Sequence, residues 1–590
     1  MLKEYPRPQF RREEWLSLNG SWDFEFDDEN VGLREKWYAN KRFSRKIEVP
    51  YVYECKLSGI GDPAPHRYFW YKKRISLPSG WKGKRIFVHF SAVDYAAKIF
   101  VNGEIAGVHT GGNTAFSVEI TRFLGYQNDE LCVYVEDDPF NECQPRGKQF
   151  WEEKPREIWY TRSSGIWQSV FLECVNESYI KDLTVKTDID RGEAAFVLRC
   201  DAEAGAEVRL RALLNGKDVA AGSARVQDGL ARLTLDVFHG KIMNCSTHSA
   251  GLCWSPENPV LFDIEIELIK NGKRQDFVTS YFGMREISVK DGEIYLNHHK
   301  YFMRLVLDQG YFPDGLLTPA CDEDLSNDII IAKKMGFNGC RKHQKVECEL
   351  FHYYADKLGF LVWGETANCA NFDAVAAARF QEEWADSVIQ RINHPCIVAW
   401  VPLNESWGVP NLRGSKEQRA HALSTYYLTK MLDPSRPVIS NDGWEMVKTD
   451  LIGIHNYAHG GKDDFARQAD YVKGIATRSN LLYRPSTNRS IFVGEFGDEG
   501  QPILLTEMGG ASYGKYDGES YGYSEVKDEA ELIAFLERVF KAIYASEEIK
   551  GFCYTQLADV EQEINGLLTK DRKPKADVER IARAVTGRLK

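Results

Sequence analysis

The C-terminal half of the chain alternates short apolar segments with longer amphipathic ones, and this alternation limits the folds open to it. Segments such as GFLVWGET and CIVAWVPLNES are apolar on both faces, as strands are in a parallel sheet covered by helices. Eight such segments over roughly 290 residues predict a (β/α)8 barrel. The strand candidates are YFMRLVLDQG, GFNGCRKHQ, GFLVWGET, CIVAWVPLNES, RPVISNDGWE, LIGIHNYAHG, SIFVGEFGDEG and GFCYTQLADVE.

The N-terminal half contains strand patterns without helical periodicity. Asn102-Gly103 between two apolar runs is typical of a tight β-hairpin turn. We therefore predict a multidomain β plus α/β protein, in which two β-sandwiches precede the barrel. The predicted domains are a jelly-roll sandwich at 1–178, an immunoglobulin-like sandwich at 179–289 and the (β/α)8 TIM barrel at 290–590.

Composition excludes several classes of partner. The net charge of −11 makes nucleic acid an unfavourable partner, because no excess of basic residues is available to contact phosphates. Neither a secretion signal nor a long uncharged apolar run is visible, so no membrane partner is expected. The odd number of cysteines, 13, lacks a disulfide framework, so we expect reduced thiols and a cytoplasmic location. Cys340, His343 and Cys348 lack the spacing of a zinc site, and no metal or cofactor is expected.

Two carboxylates follow apolar strand candidates in the barrel region. Glu405 ends the run VPLNES, and Glu495 follows IFVG in the seventh candidate. Active sites of such barrels gather at the C-terminal ends of the strands, so both side chains are expected at one mouth, about 5 Å apart. Two carboxyl groups across one bond are the requirement of glycoside hydrolysis with retention of configuration.

The two carboxylates would have different roles. An ionised Glu495 is the nucleophile, and its charge together with burial would raise the pKa of Glu405 and make it the general acid. Asn404 is placed to donate to the sugar's 2-hydroxyl. Each carboxylate could instead cap a helix or form a loop ion pair, and a divalent-metal isomerase also places acids at a barrel mouth. A non-catalytic carbohydrate-binding protein is the alternative of another class.

Several segments resemble glycoside hydrolase family 2. RINHPCIVAWVPLNESWG resembles its acid/base signature, VGEFGDEG its nucleophile strand, and YTRSSGIWQSVFLE the end of its N-terminal domain. GFNGCRKHQKVE, LGFLVWGE and INGLLTKDRKPK are also similar to family segments, in the family's order. The resemblance covers essentially the whole chain.

The resemblance implies a retaining, exo-acting β-glycosidase that removes terminal β-linked sugars by double displacement, and it suggests a homo-oligomer. It assigns the acid/base to Glu405 and the nucleophile to Glu495, with Asn404 beside the acid. Tyr457 matches a tyrosine near the nucleophile, and Arg341 an arginine near it, whereas His343 lies one position from the family's histidine. Further candidate sugar contacts are Asp308 and Gln556 with Asp559 at the ends of the first and eighth strands, and the stacking platforms Trp407, Trp363 and Trp444.

The sugar is predicted from one departure from relatives. β-Glucuronidases of the family have an Asn-x-Lys motif where this chain has Glu563 and Asn565, and an acid there disfavours a uronic acid. We therefore expect a β-galactosidase-like enzyme, with β-glucuronidase, β-mannosidase or arabinosidase as alternatives. Trp159 stands where galactosidases and glucuronidases of the family have an Asp that reaches the sugar, so the contacts at the non-reducing end are expected to differ.

Overall fold

The computed structural model describes residues 2–239, 251–484, 489–514 and 520–588, which form three consecutive units. Two units are antiparallel sandwiches and the third is a parallel barrel, so the predicted fold class is confirmed. None of the described helices has the length and apolar character needed to cross a bilayer. Twelve cysteines lie in the described part as free thiols.

The first unit packs a four-stranded sheet against a six-stranded one. The hairpin turn adopts left-handed backbone at Asn102 (φ 51°) and Gly103 (φ 83°), the geometry in which glycine and asparagine carry the least strain. The four-stranded sheet contains Trp15–Ser17, Val170–Val175, Arg85–Phe90 and Phe116–Glu119. The six-stranded sheet contains Arg45–Val49, Gly20–Phe26, Tyr68–Ile75, Asp129–Glu136, Ala96–Val101 and Glu104–Thr110. A short helix at Trp37–Asn40 and a pair of two-residue strands, Val93–Asp94 and Gly165–Ile166, also belong to the unit.

The second unit is a smaller sandwich of three and four strands. Its strands alternate buried and exposed residues, as expected when one face packs on a core and the other meets solvent. The boundary predicted at residue 289 falls inside a strand, Ile287–Lys290, so the division of the chain stays a prediction. The strands are Tyr179–Asp188, Glu193–Asp201 and Leu230–Asp236 in one sheet, and Lys217–Arg225, Glu207–Leu214, Phe262–Lys270 and Lys273–Phe282 in the other; Ile287–Lys290, Glu293–Leu296 and His299–Lys300 lead into the barrel.

The barrel strands form one parallel sheet in the order β4-β3-β2-β1-β7-β6-β5. The segment 437–442 lies beside β4 and continues the sheet there through parallel bridges from Trp400 to Val438 and from Asn404 to Asp442. The labels refer to β1 (Met303–Asp308), β2 (Gly339–Lys342), β3 (Leu361–Glu365), β4 (Ile397–Val401), β5 (Ile452–His455), β6 (Ile503–Gly509) and β7 (Ile549–Thr555).

The helices of the barrel begin at residues whose side chains cap the first turn. Asp373, Ser415 and Asp528 each accept a hydrogen bond from a backbone N–H three residues on, which satisfies a donor that the helix leaves free. The helices are α1 (Asp322–Lys334), α2 (Glu349–Leu358), α3 (Ala374–Arg391), α4 (Lys416–Leu432), α5 (Phe465–Ile475), α6 (Arg478–Leu482), α7 (Glu529–Tyr544) and α8 (Val578–Val585).

One predicted strand is misplaced. The seventh candidate, SIFVGEFGDEG, contributes only the two-residue strand Arg489–Ser490 and an isolated bridge at Phe492, whereas the barrel strand at this position is β6, ILLTEMG. Pairing decides between the segments, because β6 is bonded to β5 on one side and to β7 on the other. The glutamate near the C-terminal end of this barrel strand is therefore Glu507 and not Glu495.

Arg12 joins the two sandwiches through a buried ion-pair network. Its guanidinium lies 3.1 Å from Glu173 on the last strand of the first sandwich and 2.9 Å from Asp276 in the second. Arg12 is 5% exposed and supplies a counter-charge to both carboxylates, to which Arg7 adds a longer contact of 3.8 Å at Glu173.

We expect Arg12→Ala to lower stability by about 3 kcal/mol, because it leaves Glu173 and Asp276 buried with less compensation. The measurement is the thermal unfolding midpoint. Arg199→Ala is the matched control, since Arg199 pairs with Asp182 while both side chains are substantially exposed, and its loss should cost under about 1 kcal/mol. Equal effects of the two substitutions would contradict a structural role for the Arg12 network.

Candidate active site

The C-terminal ends of β4, β5 and β6 bring three ionisable side chains together. Glu405 follows β4, His455 ends β5 and Glu507 lies near the end of β6. Left-handed backbone at Glu405 (φ 50°) and Ser406 (φ 63°) turns the chain after the strand, and the Glu405 N–H donates to the Asp442 carbonyl. One ligand atom from each of Glu405, His455 and Glu507 lies within 4.8 Å of the others.

Glu507 is held by two hydrogen-bond donors, one from the segment after β5 and one from β2 across the barrel. Tyr457 donates its hydroxyl proton to Oε2 at 2.7 Å, and Arg341 Nη1 lies 3.2 Å from Oε1. Glu507 is 5% exposed, and these donors replace hydrogen bonds that its carboxylate would otherwise make with water. One Glu405 oxygen lies within 4.8 Å of one Glu507 oxygen, which agrees with the short carboxyl separation that retaining glycosidases need.

Glu495 does not belong to this cluster. It is exposed in the segment before β6, and it follows no barrel strand. The predicted position of Glu495 at the barrel mouth is therefore wrong, and Glu507 lies there instead. The sequence analysis did not identify Glu507, although the sequence contains a signal for it. Ile503, Leu504 and Leu505 form an apolar run, and Thr506 and Glu507 follow that run directly.

The electrostatics of Glu405 also differ from expectation. Burial raises the pKa of the Glu405 carboxyl, but the hydrogen bond and the charge of His455 outweigh burial, so the pKa lies below its usual value. The expected raised pKa is therefore wrong for this arrangement. Burial lowers the pKa of His455, yet the charges of Glu507 and Asp442 raise it to about 9.

Asn404 and Arg341 lie where the sequence predicts them. Arg341 Nη2 donates to Asn404 Oδ1 at 3.0 Å, which fixes the amide and leaves its NH2 group for a ligand. His343 Nδ1 pairs with Glu365 at 3.0 Å, and the charge of His343 acts on Glu405, so His343 also lies near the acid.

Asp308 and Gln556 are engaged in other contacts. Asp308 accepts from Lys342 Nζ at 2.6 Å and from the Gly310 N–H at 2.8 Å, so neither of its oxygens is free. The amide of Gln556 donates to Asn565 at 2.7 Å. The Oε1 atom of Gln556, by contrast, is buried without a hydrogen-bond partner among the described residues, so Gln556 stays a predicted sugar contact. Asp559 likewise pairs with Lys575 at 2.7 Å.

Aromatic residues from the first sandwich cover one side of the site. Trp407 packs edge-on against Trp159 with 4.7 Å between ring centroids, and Trp151 packs against Trp159 at the same distance. Lys148 lies over the Trp159 ring, and its charge acts on Glu405. Trp407 is partly exposed and lies beside Glu405, and its role as a stacking platform stays a prediction, whereas Trp363 is buried with its N–H on Met303 and Trp444 is half-buried.

The sequence did not single out Lys148 or His455. Lys148 is 9% exposed, and no carboxylate of the described residues forms an ion pair with it. His455 lies two residues before Tyr457, in a segment whose apolar pattern predicts a buried strand and gives no sign of a functional histidine. Glu405, His455 and Glu507 have the spacing of a metal site, but His455 Nδ1 is already bonded to Glu405 at 2.7 Å, so the cluster is satisfied internally.

Comparison with known proteins agrees with this architecture. The family models for glycosyl hydrolases family 2 match the sugar binding domain at residues 15–174, the middle domain at 178–285 and the TIM barrel domain at 287–588. The chain belongs to glycosyl hydrolase family 2. The resemblance stated from the motifs is thereby confirmed.

Family 2 relatives of this chain have more than one activity. A β-galactosidase of Thermoanaerobacter pseudethanolicus is 26% identical over 70% of this chain and 53% of its own length. A β-glucuronidase of Bacteroides fragilis is 26% identical over 72% of this chain and 60% of its own length. The chain thus spans little more than half the length of these relatives. A β-glucuronidase of Ruminococcus gnavus in complex with D-glucuronic acid has a similar fold, with a TM-score of 0.78 and 19% identity over 99% of each chain.

Gly443 gives a test of how the family 2 site is packed. A Cβ on Gly443 would lie 2.3 Å from His455 Cε1 and Nδ1, and its φ of +84° favours glycine. Gly443→Ala should therefore displace the imidazole and cost about 1–3 kcal/mol, measured as the thermal unfolding midpoint. The control is Gly461→Ala, because nothing lies within 4 Å of a Cβ there. If both variants unfold at the same temperature, the packing of Gly443 on His455 is unimportant.

Proposed function

We propose that this chain is a retaining, exo-acting β-glycosidase that hydrolyses terminal β-linked sugars by double displacement. The observation that carries this proposal is the approach of Glu405 and Glu507, within 4.8 Å, at the C-terminal end of the barrel. When two carboxyl groups are this close, no water molecule fits between the second carboxylate and the anomeric carbon. That carboxylate therefore attacks the sugar directly.

Each residue of the site has a chemical role. Glu507 attacks the anomeric carbon while Glu405 protonates the leaving oxygen, and Glu405 then deprotonates the water that releases the sugar. Tyr457 and Arg341 orient the Glu507 carboxylate through hydrogen bonds of 2.7 and 3.2 Å. Asn404, fixed by Arg341, is positioned to donate to the 2-hydroxyl, a contact that strengthens in the transition state.

A neutral sugar, with a galactoside as the first candidate, is supported by the buried carboxylate of Glu563. This carboxylate is 2% exposed and accepts from the Tyr160 hydroxyl and from Asn565 Nδ2. Its charge also acts on Tyr523, which stacks on Tyr457 with 3.5 Å between centroids, so Glu563 lies close to the catalytic carboxylates. A second carboxylate, on the substrate, would be repelled there.

A β-glucuronide is the second candidate, and Lys148 favours it. The ammonium group is buried beside Glu405 without a carboxylate partner among the described residues. A buried cation gains most from an anionic partner, and a uronic acid would supply one. Some family 2 relatives of this chain are β-glucuronidases.

Glu507→Gln should lower kcat by at least about a thousandfold, because the amide cannot form the covalent intermediate. Glu405→Gln should lose most activity on glycosides with poor leaving groups and retain more on 2,4-dinitrophenyl glycosides, whose departure needs no proton. Glu495→Gln is the matched control and should remain within about twofold of the parent enzyme, since Glu495 is exposed.

These variants should be compared by steady-state kinetics, with circular dichroism to check folding. Anomeric NMR of the first product should show retention. Full activity in Glu507→Gln, or loss in Glu495→Gln, would overturn the assignment of the nucleophile. Sugar binding by a parent protein that turns over no glycoside would instead support a non-catalytic binding protein.

The sugar is tested with a panel of p-nitrophenyl β-glycosides: galactoside, glucoside, glucuronide, mannoside, fucoside and arabinoside. If the glucuronide is the substrate, Lys148→Met should reduce kcat/KM for it at least about tenfold more than for a neutral glycoside, the loss expected for one charged hydrogen bond. Lys154→Met is the control, because Lys154 is exposed in the same loop. Preference for the galactoside with no Lys148-dependent selectivity would exclude the uronic acid.

A further inference from the structure

His455 lies between the two catalytic carboxylates and contacts both. Its Nδ1 is 2.7 Å from Glu405 Oε1 and 3.3 Å from Glu507 Oε2, while its Nε2 is 3.1 Å from Asp442 Oδ2. Ionised carboxylates only accept hydrogen bonds, so a proton on each ring nitrogen satisfies all of these contacts. The resting site therefore contains an imidazolium ion between ionised carboxylates.

The surrounding chain fixes this imidazole in place. Gly443 packs against the ring, and any side chain at that position would collide with it. Asp442 is fully buried, and it is itself held by Thr506 Oγ1 at 2.7 Å and Arg341 Nη1 at 2.8 Å. The orientation of His455 is thus determined by packing and hydrogen bonds on both ring nitrogens, as in sites where a histidine has one defined protonation role.

Charged groups reach His455 from every neighbouring strand end. Glu405 follows β4, Asp442 lies in the segment 437–442, Glu507 is on β6, and Arg341 on β2 contacts both Asp442 and Glu507. Lys148 from the first sandwich also acts on Glu405, and the imidazole of His343, after β2, lies near that carboxylate. The charges of Glu507 and Asp442 exceed the effect of burial and raise the pKa of His455 to about 9.

We infer that His455 is a positioning residue that stores the proton of the general acid while the enzyme is free and returns it to Glu405 in each catalytic cycle. This role rests on the glycosidase activity proposed above. It follows from the position of Nδ1, which touches Glu405 and Glu507 at once, so that its affinity for a proton depends on the charge of the nucleophile.

The proton balance closes over one turnover. In the free enzyme His455 is a cation, and Glu405 and Glu507 are anions. The Nδ1 proton passes to Glu405, which protonates the leaving oxygen as the glycosidic bond breaks and Glu507 bonds to the anomeric carbon. The intermediate then contains neutral His455, ionised Glu405 and an uncharged ester at Glu507. Glu405 next takes a proton from water and passes it to His455, while hydroxide releases the sugar and restores the charge of Glu507.

The pH dependence of activity tests this role. The basic limb of kcat/KM reports the loss of the essential proton from the free enzyme, so in the parent enzyme it should follow His455, whose pKa is raised to about 9. In His455→Asn the proton has to reside on Glu405 alone, and the basic limb should move to lower pH by at least about one unit. A variant with lower activity but an unchanged basic limb would show a purely structural role and overturn the inference.

Two control variants separate the proton store from general damage to the site. Tyr457→Phe removes a hydrogen bond to Glu507 two residues from His455 but does not touch Glu405, so kcat should fall while the basic limb stays in place. His421→Asn removes a buried histidine on α4 whose pKa burial lowers to about 4, and it should leave the basic limb unchanged. A comparable shift of that limb in either control would overturn the inference.

A titration without substrate tests the coupling directly. NMR of the protein with labelled histidine, assigned by the signal that His455→Asn removes, should show His455 titrating near pH 9. In Glu507→Gln the negative charge is lost as in the covalent intermediate, so the pKa of His455 should fall by at least about one unit. Equal titration in the two proteins would overturn the inference even if the parent hydrolyses glycosides. Absence of turnover with the predicted titration would refute the glycosidase activity while leaving the coupling of His455 to Glu507 intact.

Discussion

The guanidinium of Arg341 holds the centre of the barrel together. It is fully buried and lies within 3.2 Å of carboxylate oxygens from Glu365, Asp442 and Glu507. Burial lowers the pKa of this guanidinium, but the charges of Asp442, Glu365 and Glu507 outweigh burial and raise it well above its usual value, so it stays charged. Strand ends that would repel one another are thereby fixed around one cation.

The charge of this centre suits the chemistry proposed for it. The four carboxylates Glu365, Glu405, Asp442 and Glu507 outnumber the cations that act on them, which are Arg341, His455 and Lys148. Glycoside cleavage passes through a transition state with positive charge on the sugar ring, which a fixed negative environment stabilises without reorganisation.

The site also depends on the domain that precedes the barrel. The loop containing Lys148, Trp151 and Trp159 is docked on the barrel by backbone bonds from Arg146 and Gly147 to the Asn368 carbonyl. Gly147 lies so close to the Gln344 carbonyl that a Cβ would be 2.2 Å from it. Lys148 and Trp159, which lie beside Glu405 and Trp407, therefore come from a different unit of the chain, and their position depends on this docking.

The sequence by itself determined the class of the fold and one half of the carboxylate pair at the barrel mouth. Apolar runs followed by helices define the barrel, and Glu405 with Asn404 is identified because five consecutive buried residues, Ile397–Val401, precede it. Tyr457 and Arg341 were also found, through the motifs that contain them. Only the tertiary structure decided between Glu495 and Glu507, since both follow short apolar runs and strand pairing alone shows which run lies in the barrel. It also brought His455 and Lys148 to Glu405, because a charge contributed by a distant segment leaves no pattern in the local sequence.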